Sequence, residues 1–250
     1  DTGAEVIKLE SPSGDPYRRR SVSGADLSGD NGEDGEDGED GEDAAWWRFL
    51  NAGKSSRVID LVAADSADGG SSGSSGGRAA LAELIATADL VLDDHVPGDA
   101  RALGIAPDQL RSMNPAAVIA TLTRFGTTGP WADRAANDFT LEALTGAVDG
   151  RGVPGEEPVS VGGNLGDFVG ASLSAAPILA ATMAARSSGA GCHIDVSQFE
   201  SMMWAFTVFR AMYDTFAPGF RPGRQIEVPS IEPCADGAIG YCTVTGQQWL

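Results

Sequence analysis

The feature that most constrains this chain is a rhythm of short apolar runs alternating with segments of helical spacing. Ala4-Glu5-Val6-Ile7-Lys8-Leu9-Glu10, Arg57-Val58-Ile59-Asp60-Leu61, Asp89-Leu90-Val91-Leu92 and Ala117-Val118-Ile119-Ala120-Thr121-Leu122 each read as strands. Between them, Arg78 to Ala88 places Leu81, Leu84 and Ile85 on one helical face, and Pro107 to Met113 starts with the proline that a first helical turn accepts. Strands separated by helices predict a parallel, doubly wound sheet and an α/β fold.

The pattern changes after about residue 135. Asp138 to Ala147, Gly170 to Arg186 and Val196 to Phe216 read as helices. Pro177 should kink or break the second. The third carries Phe199, Met202, Met203, Phe206 and Phe209 at helical spacing, a stripe suited to a core or a subunit interface. Gly237 to Val244 reads as a strand. Two segments interrupt this order. Residues 24–43 are acidic and glycine-rich, residues 66–77 are rich in Gly and Ser, and both are expected to be disordered insertions.

The formal net charge is -19, and the segment from Asp30 to Asp43 holds nine acids and no base. The remainder is still acidic, which argues against nucleic acid as a partner. An anionic small molecule requires local convergence of Lys and Arg. With three cysteines, Cys192, Cys234 and Cys242, and two histidines, His95 and His193, no metal site is expected. Cys192 and His193 are neighbours and would point to opposite faces of a strand, so a Cys-His pair is disfavoured. No uninterrupted apolar run is long enough to cross a bilayer. The chain opens without a basic and apolar leader, so a cytoplasmic protein with no membrane partner is expected. Neither a G-x-G-x-x-G nor a Walker pattern marks a plain nucleotide-binding module.

Three stretches, in order, carry a resemblance. The first is GAEVIKLE (3–10) followed by GDPYR (14–18). The second runs from ADLVLDDHVPG (88–98) through Met113-Asn114-Pro115 to RFGTTGPWADR (124–134). The third is GNLGDFVGASLSAAPILAATMAARSSGAGCHIDVSQFESMM (163–203). Together they resemble the family III CoA-transferases, the group of L-carnitine dehydratase and the bile-acid-inducible proteins. The resemblance implies an enzyme that moves coenzyme A from an acyl-CoA to a carboxylic acid, with coenzyme A as substrate and no other cofactor. It also implies a Rossmann-like CoA-binding domain over 1–140, a helical catalytic and linker region over 141–220, and the start of a smaller second domain over 221–250. An interlocked homodimer is implied as well.

By the same resemblance Asp167 is the nucleophile, forming an anhydride and then a thioester with coenzyme A. Read from spacing alone, Asp167 is more readily a helix N-cap than a catalytic group. The resemblance implies CoA contacts at Lys8, at Asn51 to Lys54, at the turn holding Asp94 and His95, and at Arg124 and Phe125. For Lys8 and Lys54 a solvated surface charge is the other reading. Arg18-Arg19-Arg20 can serve phosphates or pair with the acidic insertion. Gly166 and Gly170 are expected to let a thioester approach the backbone. Where the family usually has Glu-Asn-Phe this chain has Asp93-Asp94-His95, and Asp94 adds negative charge there.

Two alternatives remain. An α-methylacyl-CoA racemase needs a second acid/base, but its histidine is replaced here by Asn137. A catalytically silent truncated homologue is the other, since the resemblance begins inside the first strand-helix unit and stops short of the family's closing segments. The chain is accordingly expected to be a piece of a longer enzyme.

Overall fold

The computed structural model describes residues 3–21, 43–62, 74–148, 155–206, 215 and 231–240. Of the expected insertions, residues 24–42 and 66–73 lie outside these residues, as does the helical stripe beyond residue 206 with Phe209; residues 74–77, expected to be disordered, instead open a helix.

The centre is a parallel sheet of β3 (Leu90–Asp93), β4 (Val118–Thr123) and β5 (His193–Ser197), with β4 in the middle. Register pairs Asp93 with Thr121 and Thr121 with Asp195, so odd-numbered residues share one face. On that face Val91 and Ile119 join Leu81 and Ile85 of α2 (Ser74–Thr87), Ala100 of α3 (Pro97–Leu103) and Leu110 of α4 (Pro107–Met113). The other face buries Val118 and Ala120 completely, and α6 (Leu165–Ser188) packs along β4 and β5. Cover on both sides explains why β4 is a continuous apolar run.

A second parallel pair joins β1 (Ile7–Glu10) to β2 (Ser55–Val58), Ile7 opposite Ser55. It reaches the main core through Ile59 and Leu61. A 3-10 turn at Pro16–Arg19 and α1 (Ala45–Asn51) border it. A second cluster, Phe125, Leu141 and Met202 with Leu165, Val169 and Phe199, ties α5 (Asp138–Leu144) and α7 (Gln198–Phe206) to α6. β6 (Ile231–Pro233) and β7 (Ala238–Gly240) form an antiparallel pair.

The α/β class and the parallel strands are as the sequence predicts, with three differences. β5 was not anticipated, because His193 to Ser197 merges in sequence with the apolar helix that follows; its bonds to β4 settle it as strand. β2 lies two to three residues earlier than its apolar run, with all four residues exposed. Pro177 does not break α6, which continues for 24 residues. The hydrogen bond it forfeits would have gone to Leu173, which is half exposed, so water can take its place. α6 is also apolar enough, by length and composition, to cross a membrane, although no uninterrupted run suggested it. Its packing on β4, β5, α5 and α7 makes it a helix of this core.

Candidate active site

In open parallel sheets, ligands collect beyond the carboxyl ends of the strands. Here the segments leaving β1, β4 and β5 supply Tyr17, Arg124 and Gln198, which converge on Asp167 in the first turn of α6. The chain enters α6 through Gly162, Gly163 and Asn164, with φ values of 76°, 69° and 55°. Two glycines and an asparagine are the residue types that tolerate this left-handed path. Asn164 does not cap the helix with its side chain. Its amide donates instead to the Tyr17 hydroxyl at 2.6 Å, and Asp138 accepts from the Gly166 amide at 2.7 Å. Burial pushes the Asp138 carboxyl above its ordinary range.

The two oxygens of Asp167 differ. Oδ1 accepts from Arg124 Nη1 at 2.8 Å and from Gln198 Nε2 at 2.7 Å, while Gln198 Oε1 accepts from Arg124 at 2.6 Å. Among the described residues Oδ2 accepts only a long bond, 3.3 Å, from the Tyr17 hydroxyl. Burial and the Asp167 charge push Tyr17 up to about 12, so at neutral pH it stays a donor. The carboxylate keeps 37% of its exposure. One oxygen is therefore fixed and the other is lightly held at an accessible surface. A carboxylate so arranged can act as a nucleophile, with Arg124 and Gln198 holding Oδ1 in place.

Gly166 and Gly170 have a different purpose from the one their spacing suggested. A Cβ on Gly166 would lie 2.7 Å from Asp138 Oδ1, and one on Gly170 would lie 3.1 Å from Gln198 Cγ. The space over both is taken by protein, so they admit the side chains of Asp138, which accepts from the Gly166 amide, and Gln198, which bonds Asp167, rather than a thioester.

The other expected contacts fall into separate groups. Arg124 meets Asp167 directly. Phe125, one residue on, turns its ring into the core against Trp131 and Phe199, with centroids 5.4 and 5.9 Å away. Lys8 pairs with Asp15 at 2.7 Å and lies over the Trp47 ring. Lys54 bonds Asn51 at 3.2 Å, and desolvation together with the Lys8 charge lowers its pKa. These two cations are thus neighbours. Asp94 and His95 follow β3, beside a cavity of about 320 Å³ lined by Asp93, Arg101, Arg111, Thr121 and His193. His95 Nδ1 is 2.6 Å from Asp93 Oδ1, which raises its pKa, while Asp93 Oδ2 is buried without a partner. Asp93, Asp94 and His95 bring potential ligand atoms within 4.8 Å of one another. Cys192 is an exposed thiol, and His193 bonds Thr121 Oγ1 at 2.9 Å. Arg18 is taken up by Glu10, Asp43 and the Trp47 ring.

Tyr17, Asn164, Asp138 and Gln198 were not picked out as site residues, although each lies in or beside a stretch that carries the resemblance. Their signal was position: each follows a strand end or opens a helix, where polar groups face the crevice.

Comparison with known proteins places the chain in a family. The succinate–glutarate CoA-transferase of Agrobacterium fabrum is 31% identical over 204 residues, 79% of this chain and 44% of that protein. The acetyl-CoA:oxalate CoA-transferase of Acetobacter aceti is 31% identical over 205 residues, covering 81% and 46%. The chain thus spans less than half the length of these relatives. The crystal structure of a CAIB/BAIF family protein from Brucella suis superposes with a TM-score of 0.74 at 29% identity, over 95% of this chain and 58% of that one. The model of CoA-transferase family III matches residues 1–250, and with the parallel sheet and its carboxylate at a helix start, the chain belongs to that family.

Proposed function

We propose that the protein transfers coenzyme A from an acyl-CoA to a carboxylic acid through covalent intermediates on Asp167. The observation that carries this reading is the asymmetry of the carboxylate, held at Oδ1 by Arg124 and Gln198 and nearly free at Oδ2. Oδ2 attacks the thioester carbonyl, the C–S bond breaks, and CoA thiolate leaves a mixed anhydride. The thiolate then attacks the Asp167 carbonyl and expels the donor carboxylate, leaving an aspartyl-CoA thioester. The acceptor carboxylate attacks this thioester, and the released thiolate takes the acyl group from the second anhydride, restoring Asp167. No proton is transferred, so no general acid is needed. Lys8 and Lys54, side by side, suit the phosphates of coenzyme A, and the turn at Asp94 and His95 borders the cavity that would take another part of it.

The racemase alternative loses ground because Asn137 caps α5, its Oδ1 accepting from Thr140 at 2.8 Å. It has neither the chemistry nor the freedom to shuttle protons. A homodimer fits the exposed Leu173, Leu179 and Met183 of α6 beside Trp204; light scattering tests it.

The central test incubates the chain with acyl-CoA and hydroxylamine and maps the adduct by mass spectrometry. Modification at Asp167 is expected, and Asp167→Ala should lower exchange about a thousandfold or more. A folded chain that gains no adduct would favour the catalytically silent reading. An alanine variant that exchanges thioesters at the unaltered rate would remove Asp167 from the chemistry.

A further inference from the structure

Arg124 reaches Asp167 from the short segment Arg124-Phe125-Gly126-Thr127, which leaves the end of β4. A side chain on a loop is only as fixed as the backbone beneath it, and β5 and α7 grip this backbone at both ends. Asp195, in the middle of β5, turns both carboxylate oxygens on Thr127. Oδ1 and Oδ2 accept from the Thr127 amide at 3.1 and 2.9 Å, and Oδ2 also accepts from the Thr127 hydroxyl at 2.6 Å. At the other end of the segment the Phe199 amide donates to the Arg124 carbonyl at 3.0 Å. Between the two grips Gly126 has a φ of 83°, and a Cβ there would lie 3.6 Å from Asp195 Oδ2. Glycine takes this left-handed turn at no steric cost, and the turn brings the Thr127 amide back onto Asp195.

We propose that Asp195 is a positioning residue for the reaction: it anchors the far end of the Arg124 segment and so keeps the guanidinium aimed at Asp167 Oδ1. This rests on the CoA-transfer reading and adds to it a residue that acts on Asp167 only through Arg124. Hydrogen bonds to an ionised acceptor are about twice as strong as neutral ones, and Asp195 directs such bonds at one residue. Register sets Asp195 opposite Thr121 of β4, so the anchor is tied to the central strand rather than to another loop. Gln198, three residues further on, holds the head of the same side chain, accepting from Arg124 at 2.6 Å and donating to Asp167 at 2.7 Å. Without Asp195 the guanidinium keeps these partners while the backbone under it drifts. Such drift matters, because a misplacement of about 1 Å in a reacting group can cost a hundredfold in rate. Thr127 also lines the cavity beside His95, so the rival role for Asp195 is to shape that cavity.

The test compares the native full chain with Asp195→Ala, Asp195→Asn and a control, Ile119→Val, which removes one buried methyl group from the core face of β4. The first readout needs no turnover: the NMR order parameter of the Arg124 Nε–H should fall by about a third in Asp195→Ala. The second is kinetic. Asp195→Ala should lower kcat for thioester exchange about tenfold and leave the affinity for desulfo-coenzyme A unchanged. Asp195→Asn, whose amide oxygen can still accept from Thr127, should recover most of that loss. Ile119→Val should lower the urea midpoint and leave both readouts level. In an Arg124→Gln background Asp195→Ala should cost nothing further in rate, because its effect passes through Arg124. An Arg124 order parameter that stays level in Asp195→Ala would overturn the assignment, whether or not the chain exchanges thioesters. A further tenfold loss in the Arg124→Gln background would do the same, as would weakened desulfo-coenzyme A binding at native kcat, the mark of a cavity wall. A native chain that exchanges nothing, with Arg124 loosened in Asp195→Ala, would remove the transfer reading and uphold the anchor.

Discussion

Gly170 stands in the second turn of a long helix, where alanine normally stabilises by about 1 kcal/mol. At this position a Cβ would lie 3.1 Å from Gln198 Cγ, inside the roughly 3.5–4.0 Å at which carbon atoms rest. Gln198 cannot swing aside freely, because its amide is pinned to Asp167 at 2.7 Å and to Arg124 at 2.6 Å. Overpacking of this kind costs about 1–3 kcal/mol. Set against the propensity gain, Gly170→Ala should change stability between almost nothing and a loss of about 2 kcal/mol. The rate is the more sensitive reporter. On the proposed mechanism, a shift of Gln198 by a few tenths of an ångström would turn Asp167 away from its line of attack, and misplacement by about 1 Å can cost a hundredfold. We expect kcat/KM for thioester exchange to fall about tenfold, with a urea midpoint that stays level or falls. Adding Gln198→Ala removes the obstructing Cγ, so the double variant should be more stable than the sum of the single changes by about 1 kcal/mol. A Gly170→Ala protein with a raised midpoint and full activity would refute the tight fit between α6 and Gln198.

Two further outcomes follow from other contacts. Glu10 accepts from both Arg18 nitrogens, from Ser56 and from the Asp15 amide, and these bonds, Arg18 foremost, hold its carboxyl at about 2 instead of 4.5. A depressed carboxylate stabilises the fold above pH 4.5 and loses that contribution as pH falls towards 2. Glu10→Gln should thus cost about 2 kcal/mol at pH 7 and flatten the acid limb of a denaturation-against-pH curve; an unaltered limb would count against it. Tyr17→Phe removes the one donor to Asp167 Oδ2 among the described residues and leaves the Asn164 amide without its Tyr17 acceptor. Stability should drop by about 1 kcal/mol, measured by thermal melting, and kcat should change by less than in Gly170→Ala, since Oδ1 keeps both of its bonds.

The strand and helix order was legible because β1, β3 and β4 lie in apolar runs, of which β4 alone is buried nearly throughout. β5 was not, since Ile194 and Val196 differ little from the helical Phe199 and Met202 that follow; pairing with β4, a non-local fact, decides the matter. Asp167 could be found from the stretch around it. Arg124 was expected too, as a contact of coenzyme A, but Tyr17 and Gln198 were not, because they lie 150 and 31 positions away and no local spacing connects them to Asp167. The two glycines were misjudged for a similar reason: a missing Cβ is visible in sequence, whereas the atom that fills its place is not. Phe125 shows the same limit, its ring belonging to a cluster completed by residues more than seventy positions later.

The unusual greasiness of α6 bears on how the chain reaches this shape during synthesis. β4 and α5 leave the ribosome before α6, whereas β5 and α7 emerge after it. For that interval a segment able to enter a bilayer has only part of its shelter. A nascent chain halted there should be the species most prone to stick to membranes or to its own copies. Ribosome-stalled lengths ending just after Arg186 and just after Phe206 would measure how much the last strand and helix relieve it.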